Sequence, residues 1–141
     1  MRVHMSNVMN TPTEVIETEY PMEVVHHALR PGSGGAGTHR GGVGLTRAYR
    51  VLTETTLTTM LERRVVPPWG AFGGANGLPY RITLERGGSR RDVKGKETVA
   101  LRPGDVVLIE TSGGGGYGDP AKRPAELTAR DRLEGYAGEG A

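Results

Sequence analysis

The stretch Glu62-Arg-Arg-Val-Val-Pro-Pro-Trp-Gly-Ala-Phe-Gly-Gly74 sets two adjacent arginines against a stiff proline pair. A guanidinium presents parallel N–H donors in a planar fork, so it grips a carboxylate or phosphate by two oxygens at once. Arg63 and Arg64 are therefore candidates for holding an anionic group of a substrate or intermediate. Glu62 offers the competing use, an ion pair within the fold or between subunits. Read as the end of a strand, neighbouring residues leave a sheet on opposite faces. One arginine at most then reaches a site, and the other pairs with an acidic group such as Glu62 or one on a partner chain. A second polar stretch, His4-Met-Ser-Asn-Val-Met-Asn-Thr-Pro-Thr-Glu14, adds His4 and Asn7 as polar groups for the edge of a site. Its last four residues have the form of a capping box, with Thr11 accepting from the backbone at Glu14 and Glu14 reaching back.

Other chemistries find little support. His26 and His27 are adjacent in a strand-like segment and point to opposite faces, while His4 and His39 are far apart in sequence. No H-x-H or H-E-x-x-H spacing exists, so no metal site is expected within the chain. The four aspartates, Asp92, Asp105, Asp119 and Asp131, fall at turns or helix starts. With no cysteine, a disulfide scaffold and a thiolate zinc site are both excluded. Ser6, Ser33, Ser89 and Ser112 lack a recognisable base nearby and a nucleophile elbow. Gly32-Ser-Gly-Gly-Ala-Gly37 resembles a phosphate loop only in its glycines. It lacks the Lys-Ser/Thr pair and a helix whose amides would face the anion, so turn and packing roles take precedence.

Two glycine-dense segments, Arg30 to Gly42 and Glu110 to Pro120, each follow a strand-like stretch. The run Gly113, Gly114, Gly115, Gly116 directly follows the apolar Val106-Val-Leu-Ile109. Two readings stand. Either another backbone packs closely here, which glycine alone permits, or the run is a flexible surface loop.

Around these motifs the sequence predicts mostly strands. A short helix over Thr11–Thr18 is stopped by Pro21. Strands follow at Met22–Leu29, Val43–Leu52 and Thr55–Arg64, the last two joined tightly at Thr53-Glu54. Tyr80-Arg-Ile-Thr-Leu-Glu85 alternates without a fault, placing Tyr80, Ile82 and Leu84 in the core. After a Gly87-Gly88 turn come a strand at Glu97–Leu101, a turn at Arg102-Pro-Gly-Asp105, and the run Val106–Ile109, which suits a strand covered on both faces. Pro67–Gly70 and Gly73–Gly77 form a structured excursion, and Pro124–Tyr136 a charged tail helix. The expected fold is mainly β, barrel- or sandwich-like, with glycine-rich loops and a short helix near each end. Residues 1–120 form the β domain and 121–141 the charged helical tail.

Composition agrees with a chain that leans on a partner. Only 35% of its 141 residues are apolar, with Gly 23 and Pro 9 taking up the difference, and Phe72 and Trp69 stand beside five tyrosines. A formal charge of +2 is too small to imply an acidic partner. The local basic patch of Arg90, Arg91, Lys94 and Lys96 has no stacking aromatics among it, so nucleic-acid binding is not expected. No segment approaches the ~20 apolar residues of a membrane span, and the start has no apolar signal region. The expected compartment is the cytoplasm.

Six pieces in register resemble the hydantoinase B/5-oxoprolinase family. They are the His4–Val15 stretch, Tyr20-Pro through Leu29-Arg-Pro-Gly-Ser-Gly-Gly-Ala-Gly, Arg40-Gly-Gly, Arg63-Arg through Pro-Pro-Trp-Gly, Lys94-Gly-Lys, and Pro103-Gly-Asp through Gly-Gly-Gly-Gly-Tyr-Gly-Asp-Pro120. The resemblance implies part of an ATP-dependent enzyme that opens a cyclic amide such as a hydantoin or 5-oxoproline, or that carboxylates a ketone. In such systems an A-type subunit with an actin-like ATPase fold phosphorylates the substrate or bicarbonate, and a B-type subunit handles the activated intermediate.

Family members are several times longer, and this chain resembles only their C-terminal portion. Their His/Asp-rich N-terminal segments, associated with metal binding, have no counterpart here. The resemblance therefore implies activity only within a larger assembly. ATP with Mg²⁺, and a divalent metal where one is used, are expected in partner subunits or the N-terminal B-type region, with no cofactor bound by this chain alone. The expected partners are an A-type ATPase subunit, the N-terminal part of a B-type subunit and a small-molecule substrate. The alternatives are a non-catalytic assembly module, a truncated fragment, or part of a ketone carboxylase.

Overall fold

The computed structural model describes residues 10–138. Helix α1 (Thr13–Glu19) leads into strands β1 (Met22–Arg30), β2 (Gly44–Val51), β3 (Thr55–Met60), β4 (Arg81–Arg86), β5 (Ser89–Val93), β6 (Lys96–Leu101) and β7 (Val106–Glu110). A single 3₁₀ turn at Pro120–Lys122 and helix α2 (Ala125–Leu133) follow. Five strands form one antiparallel sheet in the order β1-β2-β7-β4-β5, and β3 pairs with β6 in a second, two-stranded sheet. The sheets stay open rather than closing into a barrel, so the mainly β architecture takes its sandwich-like form.

The alternation in β4 does what period-two patterning demands. Tyr80, Ile82 and Leu84 are buried, and with Val51, Val93, Leu101 and Val107 they form the core, against which Leu57 and Val99 of the small sheet and Ile109 of β7 pack. Asp105 fastens one end of this sandwich. Its buried carboxylate accepts from Arg86 Nε (2.9 Å) and Nη2 (2.5 Å) and from the Arg102 amide (2.9 Å). The Arg86 guanidinium, helped by that amide, overrides the burial that opposes charge and holds the Asp105 carboxyl below the usual carboxylate range.

Four expectations need correction. Strands β2 and β3 form no hairpin: the Asp105 carbonyl accepts from Val51 N and the Val51 carbonyl from Gly104 N, so the chain leaves the first sheet there and β3 joins β6 in the second. Strand β3 stops at Met60, where Leu61 N donates to the Gly95 carbonyl, so Arg63 and Arg64 lie in the following loop. The capping box does not form. The helix starts at Thr13 with Pro12 as its N-cap, which leaves Thr11 one residue outside, and no side chain caps the first turn. Finally, β7 lies at the centre of its sheet, yet only one face is covered. The other carries Leu108 beside Arg81, Thr83, Arg90, Asp92 and Glu110, a surface suited to water.

Strand β5 was absent from the sequence expectation, because Ser89-Arg-Arg-Asp-Val93 has one apolar side chain. It forms as the return arm of the hairpin turned by Gly87 (φ 54°) and Gly88 (φ 79°). Among the described residues no helix is long and apolar enough to cross a membrane.

Candidate functional site: a glycine braid and the Arg63 hollow

Beyond the ends of β1, β3 and β7 the chain builds a rim from backbone alone. Three glycine-rich segments, 32–42, 69–77 and 111–118, cross one another and pair through their amides. Gly35 N donates to Gly114 O (2.9 Å), Gly114 N to Gly42 O (2.8 Å), Gly116 N to Ala75 O (2.9 Å) and Ala75 N to Ala36 O (2.7 Å). Ala71 N reaches Gly116 O (2.9 Å), and His39 and Tyr117 exchange a reciprocal pair (3.0 and 2.9 Å). The backbones lie so close that a Cβ on Gly113 would sit 1.9 Å from Ser33 O, and one on Gly115 1.9 Å from Trp69 O. No carbon tolerates such contacts, which is why the run is glycine. Ser33, fully buried, ties the braid to the sheet: its Oγ accepts from Gly44 N (2.7 Å) and donates to Arg30 O (2.6 Å).

The braid frames a hollow of about 500 Å³ lined by Gly42, Val43, Arg63, Pro68, Trp69, Ser112, Gly113 and Gly114. Arg63 takes the left-handed conformation (φ 65°), costly for a side-chain-bearing residue and of the kind concentrated at functional sites. Its guanidinium lies over the Trp69 ring at 4.8 Å from the centroid, a cation–π contact that holds the charge against the indole face. The loop beneath is stiffened by Gly77 N to Pro68 O (2.9 Å) and Gly70 N to Asn76 Oδ1 (3.0 Å). No carboxylate among the described residues pairs with Arg63.

Arg64 is placed quite differently. It forms a two-pronged ion pair with Asp92 and donates to the Val93 carbonyl (2.6 Å). The Asp92 carboxylate, the dominant influence on it, raises its pKa above the usual arginine value. Beneath this pair the buried Tyr80 hydroxyl finds no hydrogen-bond partner among the described residues, and burial pushes its pKa up to about 12 despite the opposing Arg64 charge. Glu62 pairs with Lys96 (3.1 Å) and with neither arginine. Two further members of the basic patch are likewise engaged, Arg90 with Glu85 (2.7 Å) and Arg91 with Glu97 (2.7 Å).

The remaining sequence candidates do not converge on the hollow. His4 and Asn7 lie outside the described residues. His26 bonds Thr46 Oγ1 (3.0 Å) on β2, and His39 flanks Tyr117. Among the described residues no three His, Cys, Asp or Glu side chains gather where a metal could sit. Within the Gly32–Gly37 segment, Gly35 N donates into the braid and Gly32 N to the Tyr136 carbonyl of the tail (2.9 Å). That tail folds back onto the braid through one carboxylate. Asp131 on α2 accepts from Arg40 Nε (3.0 Å) and Arg123 Nη2 (2.7 Å), and Arg40 covers the Tyr136 ring. Burial opposes the Asp131 charge, yet the two arginines hold its carboxyl below the usual range.

Sequence reasoning missed Trp69 as the platform for Arg63, and Ser112 and Gly42 as walls of the hollow. The signal was present in part: a lone tryptophan between a proline pair and a glycine has few core roles.

This two-sheet domain with its braided rim is the fold of a segment found within larger ATP-dependent enzymes. It matches an ATP-dependent caprolactamase from Pseudomonas jessenii with a TM-score of 0.79 at 24% identity, over 92% of this chain and 24% of that one. It also matches a nucleotide-free acetone carboxylase with a TM-score of 0.75 at 21% identity, over 92% and 22%. The chain belongs to the hydantoinase B/oxoprolinase family, whose model matches residues 1–120. It is 42% identical over 123 residues to an uncharacterized protein of Methanocaldococcus jannaschii, covering 87% of this chain and 22% of that protein. It is 39% identical over 121 residues to 5-oxoprolinase 1 of Arabidopsis thaliana, covering 84% of this chain and 9% of the relative. The chain thus spans less than a quarter of the length of these relatives.

Proposed function

We propose that this chain is the C-terminal part of an ATP-dependent hydantoinase/5-oxoprolinase-type amidohydrolase, opening a cyclic amide within a larger assembly, and that Arg63 holds an anionic group there. One observation carries the residue assignment: Arg63 stands over the hollow on its Trp69 platform without a carboxylate partner among the described residues, while Arg64 is tied to Asp92. Arg63 would pair two oxygens of a substrate carboxylate or of a phosphorylated amide. Trp69 holds the charge against its indole face, and the braid fixes the wall opposite. His4 and Asn7 remain assigned to the edge of the composite site.

We assign no nucleotide or metal to this chain: several of the braid's amides donate to backbone carbonyls, and no ligand set gathers among the described residues. ATP with Mg²⁺, and a divalent metal where one is used, are assigned to the A-type subunit and to B-type segments outside this chain. Support for cyclic-amide chemistry comes from relatives named 5-oxoprolinase. The fold likeness to an acetone carboxylase keeps ketone carboxylation as the second reading.

The test is reconstitution with an A-type chain and the remaining B-type polypeptide, assayed on hydantoin and 5-oxoproline with and without ATP. ATP-dependent ring opening is expected only when all parts are present. Assemblies that form fully yet leave both rings intact contradict the reading, and acetone carboxylation by the same assemblies would favour the second.

A further inference from the structure

Most of the length of the chain's relatives lies outside the region it matches, so some face of this domain must meet that polypeptide. The faces differ sharply in what burial would cost. The open face of the large sheet carries Arg81, Arg90, Asp92 and Glu110, charges that would lose their hydration. Helix α2 is charged apart from its exposed Leu133, and the outer face of the small sheet sets the exposed Met60 among the Thr58–Thr98 pair and Lys96. Val65 and Val66, in the loop that follows β3, are exposed but bring no aromatic ring. The rim is different. Phe72 is 81% exposed, packs on Tyr117 at 5.0 Å between ring centroids, and sits in the left-handed conformation (φ 51°). A bulky residue rarely adopts that backbone, and here the strain turns an apolar ring toward solvent. His39 flanks Tyr117 at 6.1 Å. Two of the three braid segments that wall the hollow run directly into this ledge. Trp69 precedes Phe72, and Gly114 precedes Tyr117, by three residues each, about 10 Å of extended chain.

We propose that the Phe72–Tyr117 ledge is the surface on which the rest of a B-type polypeptide docks, through an apolar face that covers both rings and closes the Arg63 hollow. This rests on the proposed function, since it names the partner that completes the same site. Exposed aromatic rings on a rigid frame supply large contact area at small entropy cost, and such anchors dominate interface energetics.

The probe is the part of the M. jannaschii relative lying outside the matched region, purified as a separate chain and titrated against this one by biolayer interferometry. Phe72→Asn removes the ring while keeping a residue that tolerates positive φ, and Tyr117→Thr is the second variant. Circular dichroism and melting confirm that each folds, and Arg90→Ser on the charged sheet face is the control. The expected result is at least a ten-fold weaker Kd for Phe72→Asn, a smaller loss for Tyr117→Thr and none for Arg90→Ser. Wild-type affinity in a folded Phe72→Asn chain overturns the docking surface, as does sedimentation showing that the ring instead holds two copies of this chain together. Absence of any association with the wild-type chain also overturns it. The functional reading fails separately: a complex that depends on Phe72 but opens neither ring leaves the docking surface standing and removes the assigned activity.

Discussion

The sheet core and the glycine braid hold the same chain together by opposite means. In the core, side chains carry the structure: Ile82 and Val93 are essentially inaccessible, and the backbones stay at ordinary sheet spacing. Where the braid's segments cross, backbones touch, so that Gly113 and Gly115 have no room for a methyl group. The core tolerates loss of volume at a graded cost, whereas these crossings tolerate no gain. A frame of the second kind positions its walls with few torsional degrees of freedom left, which suits a site that must hold Arg63 and Trp69 in fixed register.

The largest effect should come from adding one carbon to the braid. Gly115→Ala would force its Cβ into the Trp69–Gly70 peptide unit, backbone that cannot swing aside as a side chain would, and should destabilise by on the order of 3 kcal/mol or more. Thermal unfolding with Gly42→Ala as comparison checks this. Gly42 has nothing within 4 Å of the added carbon, and its variant should stay within about 0.5 kcal/mol of wild type. Both glycines belong to the braid, so equal effects would mean that the close backbone approach at Gly115 carries no cost.

On the core side, Ile82→Ala should cost about 2–5 kcal/mol by transfer and cavity terms, read from urea unfolding. Next comes the Asp105 fastening. Its carboxyl pKa is lowered in the fold, so its stabilisation is complete above the unfolded value near pH 4 and fades as pH falls through the folded value. Asp105→Asn should lower stability at pH 7 by on the order of 2–3 kcal/mol. The gap from wild type should narrow below about pH 4, as melting curves across that range would show. A gap unchanged between pH 7 and pH 3 would mean the carboxylate charge contributes nothing.

The smallest expected effect on stability, and the sharpest on function, separates the two arginines. Arg63→Lys keeps the charge but loses the fork, so in the reconstituted enzyme kcat/KM should fall about 10- to 150-fold, equivalent to roughly 1.5–3 kcal/mol, with the melting temperature unchanged. Arg64→Lys should instead lower the melting temperature and leave the activity of the assembled fraction intact, because Arg64 is bound to Asp92 and the Val93 carbonyl. The reverse pattern would exchange their roles.

The same contrast explains what the sequence made legible. Strand β4 was plain because alternation is a side-chain signal, and Tyr80, Ile82 and Leu84 are buried as it requires. Strand β5 was not, since a hairpin turn and cross-strand pairing specify it rather than hydrophobicity. The exchange of β3 into the second sheet depends on backbone bonds between Val51 and the 102–105 turn, which no local pattern announces. The arginine pair was visible as chemistry, whereas its geometry was not: a left-handed backbone at Arg63, rather than the two faces of a strand, sets the two side chains apart. Four consecutive glycines left a close-packed backbone and a flexible loop equally open, because glycine serves both.

Hydrogen exchange resolved to single amides decides between those two states and so tests the braid as a rigid frame most directly. Gly113, Gly114, Gly116 and Tyr117 each donate to a backbone carbonyl, those of Leu78, Gly42, Ala75 and His39. Their amides should be protected to a degree comparable with those of β4, opening only with the fold as a whole. Exchange at free-peptide rates at these four amides, while β4 stays protected, would contradict the braid and leave the Arg63 hollow without a frame.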